Sequence, residues 1–209
     1  MKKSIIITAI LLFFILFICS CSSVPKFEND ELGNLTDKAN GRLYLYCGSY
    51  LRAAEIIENA YARYDNYDGK YKATLHEIPG ADPAEWLSEN INNLGLPLLF
   101  REASIDEPTL ENFGAERIHI TQTGEINVRI GLIDEERQVQ SIVRDYVHGE
   151  NINPPENIET NLLLYFESPK YTGIYYVLNY FTDVRGEEYL FDRWTRRCVL
   201  LTEFGGNKK

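Results

Sequence analysis

The residues of this 209-residue chain with the widest chemical reach are four cysteines, three histidines and one compact arginine island. Cys47-Gly48-Ser49 follows a stretch of strand composition and opens a stretch with helical spacing. A thiol at a helix N-terminus has its pKa lowered by the dipole, which is the setting of a nucleophile. The cysteine-protease signature that begins this way needs a further Cys after the Ser, and Tyr50 stands there instead. A hydrolase using Cys47, with His76, His119 or His148 as base, is therefore an alternative and not the leading expectation. The histidines have no HExxH spacing and no nearby Cys or His partner, so no metal site is expected. Asp65 to Gly69 lacks the closing Glu of a calcium loop and reads as a turn. With no Gly-x-Ser-x-Gly elbow, Walker loop or dinucleotide fingerprint, no catalytic set and no cofactor are assigned.

Arg193-Trp194-Thr195-Arg196-Arg197 is a basic island in an acidic chain of net charge −10. It falls between two strand-like stretches, where a hairpin turn displays Arg193, Trp194, Arg196 and Arg197 together. Guanidinium groups beside an exposed indole suit a carboxylate, a sugar acid or an acidic partner surface. Cys47 and Cys198 have two readings, a disulfide or two separate buried thiols. A bridge would close a loop of about 150 residues, worth ~5 kcal/mol in the chain-entropy picture.

The elements that must position these groups alternate at first. Strands are expected at Arg42–Cys47, Tyr71–Ile78 and Leu96–Arg101. Helices are expected after Ser49, with Ala54, Ile57, Tyr61 and Tyr64 at helical spacing, and after the Asp82-Pro83-Ala84-Glu85 cap, with Leu87, Ile91 and Leu94 as its stripe. A hairpin, Arg117–Gln122 with Glu125–Leu132, precedes a helix over Asp134–His148. A meander of four strands closes the chain: Leu162–Glu167, Ile174–Thr182, Glu187–Arg193 and Cys198–Phe204. Its aromatic residues divide by strand alternation, Tyr176 and Tyr180 to one face, Tyr175 and Phe181 to the other. The expected class is α+β: a largely antiparallel sheet with a C-terminal four-stranded meander, covered by two or three helices.

The N-terminus has a separate logic. Lys2 and Lys3 precede an apolar run from Ile5 to Ile18, shorter than the ~20 residues of a spanning helix, and Cys19-Ser20-Cys21 follows. Ile18-Cys19-Ser20-Cys21 resembles the lipobox of bacterial lipoprotein precursors, with the small Ser20 before the cysteine. The resemblance covers about a tenth of the chain. It implies cleavage before Cys21 and lipid on the Cys21 sulfur, with an acyl chain on the new amine, stable attachment needing two or more chains. Cys19 has no small residue before it. Ser22, not Asp, follows the lipidated position, which in lipoproteins fits export to the outer membrane.

Residues 1–20 are then a signal peptide, 21–40 the lipidated cysteine and a polar, flexible tether, and 41–209 one domain. The acidic balance excludes a nucleic-acid role and any electrostatic attraction to an anionic membrane. The leading expectation is a non-enzymatic envelope lipoprotein, held to the membrane by its lipid, that binds a protein or glycan partner. A structural component of an envelope assembly is a third reading.

Overall fold

A computed structural model of the protein describes residues 26–48, 50–53, 60–65, 72–89, 97–124 and 127–202. The segment that resembles a lipobox lies outside the described residues. Seven strands close into a barrel: β1 (Lys26–Asn29), β2 (Leu35–Asp37), β3 (Leu43–Tyr46), β5 (Ala60–Asp65), β6 (Lys72–Glu77), β7 (Trp86–Glu89) and β8 (Leu98–Glu102). The ring runs β8-β3-β2-β1-β5-β6-β7 and returns to β8, where Leu87 pairs with Phe100. Only the β1–β5 contact in this ring is parallel. Phe27, Leu35, Tyr44, Tyr64, Leu75 and Phe100 point inward and fill the interior, as the alternation of side chains in a small barrel requires.

The wall continues outward through β4 (Leu51–Ala53), which bridges β8 and β12. Beyond it lies an antiparallel sheet of β9 (Arg117–Gln122), β10 (Val128–Ile133), β11 (Ile158–Glu167), β12 (Ile174–Asp183), β13 (Glu188–Phe191) and β14 (Cys198–Leu200). The order is β10-β9-β11-β12, with β13 and β14 beside the far half of β12. Helix α1 (Leu110–Phe113) is closed by a Thr109–Asn112 capping box. Helix α2 (Glu136–His148) lays Val139, Ile142 and Tyr146 on one face of the sheet, against Ile118, Leu164, Leu178, Leu190 and Val199. No helix among the described residues is long and apolar enough to cross a membrane.

The expected α+β class is overturned: the protein is mostly β, a closed barrel with a further sheet outside it, and two α-helices occur among the described residues. The segment expected as a helix after Ser49 contains β4 and β5, with residues 54–59 outside the described ones. Tyr64 satisfies both patterns, since it stands three residues from Tyr61 and two from the inward-facing Ala62. Pairing with β1 and β6 decides for the strand. Asp82 likewise caps a turn, accepting from Ala84 N at 2.8 Å, and the chain enters β7 instead of a helix. Trp86 and Leu87 enter different cores, the one between barrel and outer sheet and the one inside the barrel. A strand buried on both faces loses its alternation and reads as a helical apolar run.

The tether is also corrected. Residues 26–40 form β1, β2 and their turns, with Phe27 and Leu35 buried. Asp30 organises the first turn by accepting from Leu32 N and Asn34 N, so its polar composition reflects turn chemistry and not disorder.

Candidate functional site

Cys47 directly follows β3, and its thiol donates to the Leu45 carbonyl at 3.7 Å. Burial pushes the thiol up to about 12, the opposite of an activated nucleophile. The helix whose dipole would have lowered it is replaced by β4. His119 is engaged elsewhere, its Nε2 2.6 Å from Glu167 Oε2. The buried thiol and the missing helix give the Cys47 hydrolase reading no support.

Cys47 and Cys198 are both free and buried. They sit in different clusters, Cys198 with Phe181 and Tyr189 under Ile152, Cys47 in the core beneath β4, and the disulfide alternative gives way to two packed thiols. Burial pushes Cys198 up to about 11 and Tyr146 up to about 12, Asp192 adding to the latter. Folded groups that hold their protons above the ordinary thiol value of 9.0 contribute stability in full below that pH. That contribution is lost as pH rises toward 12, because the unfolded chain ionises first. The thermal midpoint should therefore fall steadily above pH ~9, and both thiols should resist alkylation until the chain unfolds. A midpoint that holds or rises up to pH ~11 contradicts this.

The basic turn joins β13 to β14 and is built on Asp192. That carboxylate is 1% exposed and accepts from the backbone N–H groups of Trp194 at 2.8 Å and Thr195 at 3.3 Å and from the Tyr146 hydroxyl at 3.4 Å. The turn does not display its four expected contact residues together. Arg197 turns inward to the C-terminus of α2, where it donates to the carbonyls of Tyr146, Val147 and Gly149 and lies 5.5 Å from the Tyr146 ring centroid. It is a helix cap, not a partner contact. Arg196 adopts φ 62° and its guanidinium lies 5.4 Å from the Phe191 ring centroid. Trp194 stays half exposed, edge-on to Tyr46 at 5.8 Å.

Trp194 lies flat against Gly48, and this explains the glycine. Gly48 has φ +72°, and a Cβ there would stand 2.6 Å from Trp194 Cδ2. Gly48→Ala should cost about 2 kcal/mol through left-handed strain and displacement of the indole. A thermal midpoint unchanged from that of the parent protein would contradict this.

Arg193 points to the opposite face of the sheet from α2. There β4 and β13 share one edge of β12: β4 pairs with Ile174–Tyr176 and β13 with Asn179–Thr182. At the gap between them Val177 N donates to the Tyr50 carbonyl at 2.6 Å. The two segments part there and open a cleft of about 130 Å3, lined by Tyr50, Arg52, Tyr165, Asn179, Asp192 and Arg193 among others. The Tyr50 ring turns away from the cleft into the core beside Tyr176, 5.4 Å between ring centroids, and its backbone lines the cleft. Among the described residues Arg52 donates to the Gly48 and Leu51 carbonyls, both at 3.4 Å. Of this cleft only Arg193 was among the contact residues expected from sequence. Tyr50, Arg52 and Asn179 carry no local signal, because strand pairing alone assembles them.

The chain was also compared with known proteins: no family model matches it, and no curated protein and no solved structure matches it.

Proposed function

We propose that this protein is a lipid-anchored component of a bacterial envelope that acts by binding a protein or glycan partner, not by catalysis. The observation that carries the reading is the position of the first strand. β1 begins at Lys26, five residues after Cys21. Five extended residues reach at most about 18 Å, so a lipid on Cys21 would hold the barrel close to the membrane surface. The turn Asp37–Arg42 lies at the same end, since Lys38 N donates to the Lys26 carbonyl. β3 runs away from that end, from Leu43 to Tyr46, and Trp194 packs at its far terminus on Tyr46 and Gly48. The basic turn therefore faces away from the anchored end, where a partner has access. Ser22 after the cysteine favours the outer membrane.

Mass spectrometry of the protein extracted from its host in detergent tests the anchor. The expected N-terminus is Cys21 bearing a diacylglycerol, with residues 1–20 absent. A chain beginning at Met1, or one beginning without lipid, overturns the reading.

A further inference from the structure

The cleft at the β4–β13 junction is a site built from donors. We propose that it binds the carboxylate of a sugar acid, with Arg52 and Arg193 as charge partners; this deepens the binding role proposed above and rests on it.

Three observations converge. First, neither Arg52 nor Arg193 is in an ion pair among the described residues, although the chain carries 31 acidic residues against 21 basic ones. Second, the one carboxylate in the lining, Asp192, is already served by the N–H groups of Trp194 and Thr195 and by the Tyr146 hydroxyl. It therefore does not need either guanidinium. Third, Asn179 Nδ2 is held by Asn161 Oδ1 at 3.2 Å. This fixes an amide beside Tyr165, whose ring forms an aromatic wall.

Paired guanidinium groups select a carboxylate. An aromatic ring next to a fixed amide suits the ring carbons and hydroxyls of a sugar better than a bare inorganic anion. The volume of about 130 Å3 admits one acidic residue and not an extended chain. Arg193 belongs to the turn that faces away from the anchored end, so a terminal or branching sugar acid reaches it from the solvent side.

The test is ligand-observed NMR on the full lipidated chain in detergent, titrated separately with glucuronate, glucose and acetate. Glucuronate should bind at least about tenfold more tightly than either neutral glucose or acetate, which lack the charge and the ring respectively. Arg52→Gln and Arg193→Gln should each weaken glucuronate about tenfold. Equal binding of glucuronate and glucose overturns the proposal, as does acetate binding as tightly as glucuronate. Glucuronate binding indifferent to both substitutions overturns it too. If Cys21 carries its lipid and the cleft binds no sugar acid, the cleft assignment alone fails. If Cys21 is unmodified, the envelope reading fails whatever the cleft binds.

Discussion

Replacing Arg197 by alanine should destabilise the protein by about 3 kcal/mol, a fall in thermal midpoint of roughly 6–12 °C for a chain of this size. The guanidinium donates to the carbonyls of Tyr146 at 3.0 Å, Val147 at 3.2 Å and Gly149 at 2.7 Å, and it covers the Tyr146 ring. The last carbonyls of a helix have no partner within it. In α2 one side chain from 48 to 51 residues away supplies several of them. A charged donor adds favourable interaction with the negative end of the helix. Truncation leaves these acceptors at a packed junction where water reaches them poorly, and leaving them unmade costs more than the bonds themselves contribute. Arg197→Lys keeps the charge but cannot fork across three carbonyls, so it should recover less than half of the loss. Hydrogen exchange should quicken in the last turn of α2 and in the 192–197 turn together. A midpoint within a degree or two of the parent protein would show that the cap contributes nothing.

Replacing Cys21 by alanine should abolish lipid attachment, with incorporation of labelled fatty acid falling to background. Cys19→Ala should leave incorporation unchanged, because the proposed cleavage before Cys21 would remove Cys19. Only a thiol can carry the thioether-linked diacylglycerol that the lipobox resemblance implies. Two acyl chains of about 15 CH₂ groups each contribute on the order of 20 kcal/mol of membrane affinity. Nothing else in the chain replaces them, since its net charge of −10 is repelled by anionic headgroups. Where the signal peptide is still removed, the protein should therefore be recovered in the soluble fraction. Full fatty-acid incorporation in Cys21→Ala, or its loss in Cys19→Ala, would move the anchor to the other cysteine.

The basic turn shows how far residue order carries a site. Its composition singled out Arg193, Trp194, Arg196 and Arg197 as one surface, yet the structure divides them. Arg193 enters the cleft, Trp194 seats on Gly48, Arg196 folds over Phe191 and Arg197 caps α2. A run of like residues states charge, and the direction of each side chain follows from turn geometry. Here that geometry is fixed by Asp192 and by the left-handed Arg196. The partners of Arg193 were illegible for a different reason. Tyr50 and Arg52 lie more than 120 residues from Asn179 in the chain and become neighbours only because β4 and β13 meet on one edge of β12.

Local order alone was enough where a segment's own pattern matched its final environment. The periodicity of Val139, Ile142 and Tyr146 specifies α2, whose one buried stripe needs no knowledge of what it faces. The last four strands and their turns could likewise be read from alternation and breakers, and they pair in sequence order. The lipobox resemblance, too, rests wholly on consecutive residues. The tertiary structure alone decided the barrel, because its ring closes through strands far apart in the chain, β1 with β5 and β3 with β8. Ala62 and Tyr64 become inward-facing only when β1 and β6 lie on either side, and Trp86 and Leu87 become a strand only with a core on each face. A helix satisfies its backbone within itself, whereas a strand depends on neighbours that its own sequence does not name.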